Sequence, residues 1–313
     1  MSAGERRSPS IERVTNEAPF DPLRDLLDVL DLTEKPMTRG TDGTPRDTFS
    51  GRSQPTPQGR VFGGQVVAQC LIAAGRSVTA TRAEAMHPHS LHATFLQAGD
   101  TDLPITFVVE RLRDSRSFSA RRVHALQRGR PILAMMCSFT VEAGGLDHEI
   151  SMPEVPEPES LPELAAELYP FPASDGGDWL LRRAVDMRNV DGSIALEPKP
   201  VADHQSVWVK ATGTLPDDRL LHAAVLTYAS DWVILEPVLR RHGIAWLDPR
   251  LRVASLDHSM WFHRPFRADE WLLYTQESPS AFGGRGLGYG HVFTSEGTLV
   301  VTVAQEGMLR LKE

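Results

Sequence analysis

The chain has 313 residues, 41% of them apolar, and 33 basic against 41 acidic side chains give a net charge of −8. That length exceeds one ordinary domain, so two cores are expected, and the acidic balance argues against nucleic acid or an anionic membrane as principal partner. The two cysteines, Cys70 and Cys137, sit in apolar runs; with too few ligands for a disulfide framework or a zinc site, they read as buried thiols in a reducing, cytoplasmic setting.

Residues 1–20 are rich in Ser, Glu, Arg and Pro and lack the apolar segment of a signal or anchor, so they read as a flexible tail. Leu23, Leu26, Leu27 and Leu30 then form one apolar stripe at helical spacing, and the Gly-, Pro- and Thr-rich stretch 39–59 reads as a loop. The run 61–74 is apolar on almost every side, which predicts a helix buried all round. From 90 to 141 the pattern turns to strands, notably 105–110, 118–123 and 132–140, with a tight hairpin at Gln127-Arg128-Gly129-Arg130.

A Pro- and Glu-rich linker at 153–159, followed by a short helix at 161–168, marks the boundary. Beyond it the order of elements returns. Residues 220–230 form a second all-round apolar helix, 256–262 echoes 91–96, and Ser295-Glu296-Gly297-Thr298 is a second hairpin leading into the strand 299–305. One buried helix and three or more antiparallel strands, twice over, predict an α+β double hotdog: two antiparallel sheets, each wrapped around a central helix. The expected organisation is a tail at 1–20, a first hotdog domain at 21–145, a linker at 146–177 and a second hotdog domain at 178–313. The two sheet edges can pair, which places a ligand groove at the seam.

At Val61-Phe62-Gly63-Gly64-Gln65-Val66-Val67, Ser117-Phe118-Ser119-Ala120-Arg121-Arg122-Val123, Tyr228-Ala229-Ser230-Asp231, Asp257-His258-Ser259-Met260-Trp261-Phe262 and Gln305-Glu306-Gly307, the chain resembles the TesB-type acyl-CoA thioesterase II family. The resemblance implies hydrolysis of acyl-CoA to a free fatty acid and CoA. It also implies a nucleophilic water held by Asp231, Ser255 and Gln305, with no cofactor and no metal, in a protein that forms dimers or tetramers with itself. Family members often carry Thr where this chain has Ser255, so the hydroxyl is kept and the methyl that restricts its rotamer is lost.

The residues themselves bear on this chemistry unevenly. Asp231 lies between an apolar helix and Trp232-Val233-Ile234-Leu235. A carboxyl in such company has a raised pKa and suits a general base, whereas an isolated Asp at a helix end more often caps the next turn. Ser255 and Gln305 alone read as ordinary strand side chains. Gly63 and Gly64 open the first buried helix, where N–H groups and the dipole suit an oxyanion, although glycines there equally serve close packing. Arg121, with Arg113, Arg116 and Arg122, is a candidate for the CoA phosphates, against the plainer reading of solvated strand arginines.

His89 and His92 are alternative bases. The glycines from Gly283 to Gly290 precede a strand and not a helix, so they fit close packing better than a nucleotide loop. Two rivals to hydrolysis remain. One is a hotdog enoyl-CoA hydratase or dehydratase, for which Asp217 and His222 are the candidates; the other is a non-catalytic acyl-CoA binding protein.

Overall fold

A computed structural model describes residues 20–57, 59–164, 166, 183–199 and 202–312. The tail expected at 1–20 lies outside these residues but for Phe20, as do residues 165, 167 and 168 of the helix expected at 161–168 and the end of the expected linker.

Helix α1 (Pro22–Leu30) begins where Asp21 accepts the N–H groups of Leu23 and Arg24, with Pro22 in the first turn. Its buried face is Leu23, Leu26, Val29 and Leu30, so Val29 joins the predicted stripe and Leu27 is only partly buried. The stretch 39–59 expected as loop holds instead the strand β2 (Pro45–Gly51), which forms a hairpin with β1 (Thr33–Arg39) before it. Phe49 is the one large apolar side chain in β2, so no alternation shows in the sequence; the strand forms because it pairs with β4 (Ile105–Asp114), with Phe49 opposite Phe107.

Helix α2 (Gly63–Thr79) is buried except at Gly63, Arg76 and Thr79. Around it run β2, β3 (His87–Phe95), β4, β5 (Phe118–Gln127) and β6 (Arg130–Thr140). The β5–β6 turn has Arg128 and Gly129 both at positive φ, 49° and 74°, as a tight hairpin requires. In the second half, α3 (Arg219–Ser230) is capped by Asp218 and ends at Asp231, after which the chain turns into α4 (Glu236–Arg241). Its strands are β7 (Val185–Asn189), β8 (His204–Ala211), β9 (Leu251–Ser255), β10 (Asp257–Phe262), β11 (Leu272–Phe282), β12 (Arg285–Thr294) and β13 (Leu299–Leu311).

The two sheets of the expected double hotdog meet edge to edge. β3 pairs antiparallel with β10, with Thr94 opposite Asp257 and Ala93 opposite His258. Among the described residues this makes one sheet ordered β1-β2-β4-β5-β6-β3-β10-β13-β12-β11-β8-β7, with β9 added beside β13. Helices α2 and α3 pack on each other along this seam, so both halves share one apolar core. On the opposite face of the second half's sheet, the linker side chains Met152, Val155 and Leu161 cover Trp208, Leu273 and Phe293. The indole of Trp208 donates to the Pro156 carbonyl at 2.9 Å. This cover explains why β8 and β11 are apolar on both faces.

Glycines set the helix-to-sheet distance. A Cβ at Gly64 would stand 2.6 Å from the Tyr228 carbonyl oxygen, and one at Gly288 would stand 2.0 Å from that of Ile234. Gly286 and Gly307 face Val238 and Leu235 at similarly short range. The glycine run of β12 is thus the bed on which the α3–α4 turn rests. Gly288→Ala is expected to lower stability by about 1–3 kcal/mol, the usual cost of overpacking a closed contact. Urea denaturation reads this directly, with Gly144→Ala, which has open space around it, as the unaffected control.

Candidate active site

Helix α2 starts without a cap of its own, because the residue before it is Phe62 and has no acceptor. The missing acceptor comes from the other half of the chain. Asp231, where α3 ends, turns its carboxylate toward α2, and Oδ2 accepts the Gly64 N–H at 2.7 Å. The space for this is made by Gly63, where a Cβ would lie 2.8 Å from Asp231 Oδ2 and 2.9 Å from the Phe95 ring.

The other carboxylate oxygen meets the sheet. Gln305, inward-facing on β13 between the glycine-bedded turn and β10, donates from Nε2 to Asp231 Oδ1 at 2.8 Å and to Ser255 Oγ at 2.9 Å. Ser255, the last residue of β9, is held opposite Gly307 and donates its hydroxyl to Asp231 Oδ1 at 3.3 Å. The three residues proposed from the sequence therefore converge on one carboxylate. A carboxylate has about four acceptor positions; here Oδ1 takes two donors and Oδ2 takes one. One position on Oδ2 is left.

Burial pushes the Asp231 carboxyl above the usual carboxylate range, against the opposing pull of His258, the Gln305 amide, the Gly64 N–H and the Ser255 hydroxyl. Beside it stand aromatic rings: Phe62 lies 4.5 Å from Trp232 and 5.3 Å, edge-on, from Tyr228. These rings and Phe95 make the surroundings of the carboxylate largely apolar on that side.

Two further residues complete the cluster, and neither was singled out as a site residue in the sequence. His258 is fully buried, its Nδ1 bonded to Gln305 Oε1 and its Nε2 to Ser230 Oγ at 2.9 Å. Ser230 in turn donates to the Thr227 carbonyl or to His258. The Asp257-His258 dipeptide was visible as part of a motif, but the sequence does not indicate that His258 points at Gln305. The Asp257 carboxylate has its own task, accepting the Glu306 N–H at 2.8 Å and so fixing the register of β10 against β13.

The expectation for Gly63 and Gly64 divides. The N–H of Gly64 is given to Asp231, while Gly63, first in the helix, has no intrahelical acceptor for its own. The expectation for Arg121 is corrected. Its side chain is fully buried in the first half, with Nε on Ser77, Nη1 on the Arg113 and Ala120 carbonyls, and Nη2 on Thr81 and Asp114. All five donors are used, at the far end of α2 from Gly64. Arg122 pairs with Glu110.

The alternative bases stand elsewhere. His92 lies on the exposed face of β3 against Ser259 and Trp261, and His89 packs edge-on against Phe118. Asp217 and His222 do not form a pair: Asp217 is exposed beside Arg267, while His222 is buried and accepts the Ala268 N–H. Among the described residues, no group of three or more His, Cys, Asp or Glu is arranged to hold a metal ion, and no helix is long and apolar enough to cross a membrane.

Comparison with known proteins gives matches over both halves. The family model described as acyl-CoA thioesterase matches residues 181–308, and the acyl-CoA thioesterase N-terminal domain model matches 52–140. Human acyl-coenzyme A thioesterase 8 is 38% identical over 304 residues, covering 93% of this chain and 92% of its own. Acyl-CoA thioesterase 2 of Haemophilus influenzae is 36% identical over 271 residues, 85% of this chain and 93% of its own. The crystal structure of acyl-CoA thioesterase II TesB2 from Mycobacterium marinum superposes with a TM-score of 0.71 at 38% identity, covering 92% of this chain and 99% of that one.

The Arg121 geometry separates a strut from a substrate contact. Arg121→Met strands Ser77, Thr81 and Asp114, and is expected to lower unfolding stability by about 2–3 kcal/mol while KM for acyl-CoA stays within about twofold. Denaturation and steady-state kinetics on the same preparation check both halves. A several-fold rise in KM without loss of stability would return Arg121 to the substrate.

Proposed function

The chain belongs to the acyl-CoA thioesterase family and is a thioester hydrolase with the hotdog fold, and from that premise we propose that Asp231 is the general base for direct attack of water on the thioester carbonyl. The observation that carries this reading is the convergence of Ser255 and Gln305, 24 and 74 residues away in the chain, on Asp231 Oδ1, which leaves an acceptor position on Oδ2 for the water.

In this mechanism the water donates to Oδ2 as its oxygen attacks the carbonyl carbon, and its proton passes to Asp231. Charge develops on the carbonyl oxygen, for which the Gly63 N–H at the positive end of α2, next to the Gly64 N–H that Asp231 accepts, serves as donor. Collapse of the tetrahedral intermediate breaks the carbon–sulfur bond and releases CoA as a thiolate, a leaving group good enough to need no strong acid. The proton held by Asp231 then returns to solvent or to the thiolate. Ser255 and Gln305 act by fixing one face of the carboxylate. Both N–H groups of Gln305 are already used, so it positions the base and does not itself touch the water.

The two halves, 21–145 and 178–313, work as one catalytic body. A cytoplasmic location fits Cys70 and Cys137 as free buried thiols. Self-association into dimers or tetramers fits the exposed Met136 and Trp261 on the outer face of the central strands.

The base must be a carboxylate to accept a proton, so kcat/KM is lost as pH falls through the pKa of Asp231. Because that pKa is raised, the acid limb is expected above the ordinary Asp value of about 3.9. Asp231→Asn is expected to reduce kcat by about 10²–10⁴-fold, to leave KM nearly unchanged and to abolish the limb. A carboxyl with a raised folded pKa binds more protons folded than unfolded, so its ionisation subtracts stability as pH rises between the two pKa values. The Asn variant escapes that loss, but it sets an amide N–H against the Gly64 N–H that Oδ2 now accepts, so unfolding stability is measured beside kcat, and a fall in kcat at retained stability is the loss of the base. Retention of more than about half the activity would remove Asp231 from the role of base.

A further inference from the structure

The amide of Gln305 is the hinge of the cluster, and an amide has two faces of similar shape. Turned as it stands, it offers N–H groups to Asp231 and Ser255; turned over, it would set Oε1 against the carboxylate, acceptor against acceptor. An ionised carboxylate has no hydrogen to give, so the nitrogen must face Asp231. Oε1 then faces His258 Nδ1, and both atoms are enclosed, His258 being 0% and Gln305 1% exposed. With no solvent to satisfy Oε1, the hydrogen must lie on Nδ1. This holds whether Nε2 accepts from Ser230 or donates to it, because Ser230 Oγ lies 2.9 Å from Nε2 and 2.9 Å from the Thr227 carbonyl and can serve either way.

We propose that His258 is a positioning residue for the hydrolysis, acting through its Nδ1–H to hold the Gln305 amide in the one orientation that presents its nitrogen to Asp231 and Ser255. The inference rests on the reading of Asp231 as base. His258 touches neither water nor substrate; its effect reaches the reacting atoms through Gln305 and Asp231. Ser230, at the end of α3, fixes the imidazole from behind, so the helix that carries Asp231 also carries the group that orients its partner. The chain of contacts runs from Ser230 through His258 and Gln305 back to Asp231, the residue next to Ser230, and closes a ring between α3, β10 and β13.

The test exploits which ring nitrogen matters. An Asn side chain places its N–H close to where His has Nδ1, whereas Gln places its amide near Nε2. His258→Leu and His258→Gln are expected to lower kcat by about 10–100-fold with KM unchanged, the effect of losing a hydrogen bond that acts on a charged group, while His258→Asn stays within about threefold of the parent enzyme. A merely structural role predicts that all three fall in order of their loss of thermal stability, with no advantage for Asn. That outcome, or a Leu variant as active as the parent, would overturn the proposal. Nitrogen-15 NMR of the unsubstituted protein gives a second reading that needs no variant to fold. Hydrogen on Nδ1 of His258 is required, and a neutral imidazole protonated only on Nε2 would contradict the proposal. The kinetics of Asp231→Asn keep the two readings apart. An active Asp231→Asn enzyme removes the base while the Nδ1–H finding stands, and an inactive one alongside a fully active His258→Leu removes only the role of His258.

Discussion

One carboxylate closes a helix that its own half of the chain leaves open. Phe62 cannot cap α2, and Asp231, 167 residues away, takes the Gly64 N–H in its place. An N-terminal cap contributes about 0.5–2 kcal/mol, and the helix dipole adds to the attraction for a negative charge. Burial works against the same charge and raises the pKa of the carboxyl. The cap holds the anion in place, while burial makes it more basic than an ordinary Asp carboxylate. The two helices differ in this respect, since α3 carries its own cap, Asp218. Neither half contains the cluster by itself, because the donor at Gly64 and the acceptor at Asp231 come from different ones.

That contact exists only because the backbones approach so closely. Gly63 and Gly64 admit the carboxylate and the Tyr228 carbonyl to the start of α2, and Gly75 admits Leu220 near the other end of the pair. Below the carboxylate, Gly286, Gly288 and Gly307 let the α3–α4 turn settle on β12 and β13. Gln305 lies opposite Gly288 in the sheet, so the strand bearing the amide is drawn up to the turn bearing the carboxylate. The β3–β10 pairing then fixes the halves laterally, and His258, opposite Ala93 in that pairing, points inward to Gln305. Packing and chemistry are set by the same small residues.

Much of this was legible in the sequence. The two all-round apolar helices, the hairpins at 127–130 and 295–298 and the repeat of elements all appear in the fold, because each rests on local patterning that tertiary contacts reinforce. The strand β2 was not legible, since its pairing with β4 rather than its own composition makes it a strand. The end of the second central helix at Ser230 was read correctly, whereas the short helix α4 beyond it was hidden in the apolar run that follows Asp231. Asp231, Ser255 and Gln305 were named through motif resemblance; their residue types alone favoured a cap, a strand hydroxyl and a strand amide. The capping reading contained part of the geometry, but the helix that Asp231 caps belongs to the other half. Arg121 misled because a strand arginine looks alike whether its donors face solvent or are all consumed inside the protein. His258 escaped notice because its importance lies in which nitrogen faces which neighbour.

The central claim is that the carboxylate of Asp231 activates water and does not itself attack the thioester. Ser255 gives its hydroxyl hydrogen to Asp231, and among the described residues no histidine bonds its hydroxyl to relay a proton, so the cluster lacks the pairing of an acyl-serine enzyme. Attack by Asp231 would form a mixed anhydride, and water opening it at the protein's carboxyl would leave solvent oxygen in Asp231. The most direct measurement is a single turnover in heavy-oxygen water, with enzyme in excess over acyl-CoA, followed by mass spectrometry of the released acid and of the peptides carrying Asp231 and Ser255. Direct attack predicts one solvent oxygen in the acid and none in the protein. Heavy oxygen in Asp231, or an acyl adduct on Ser255, would contradict it.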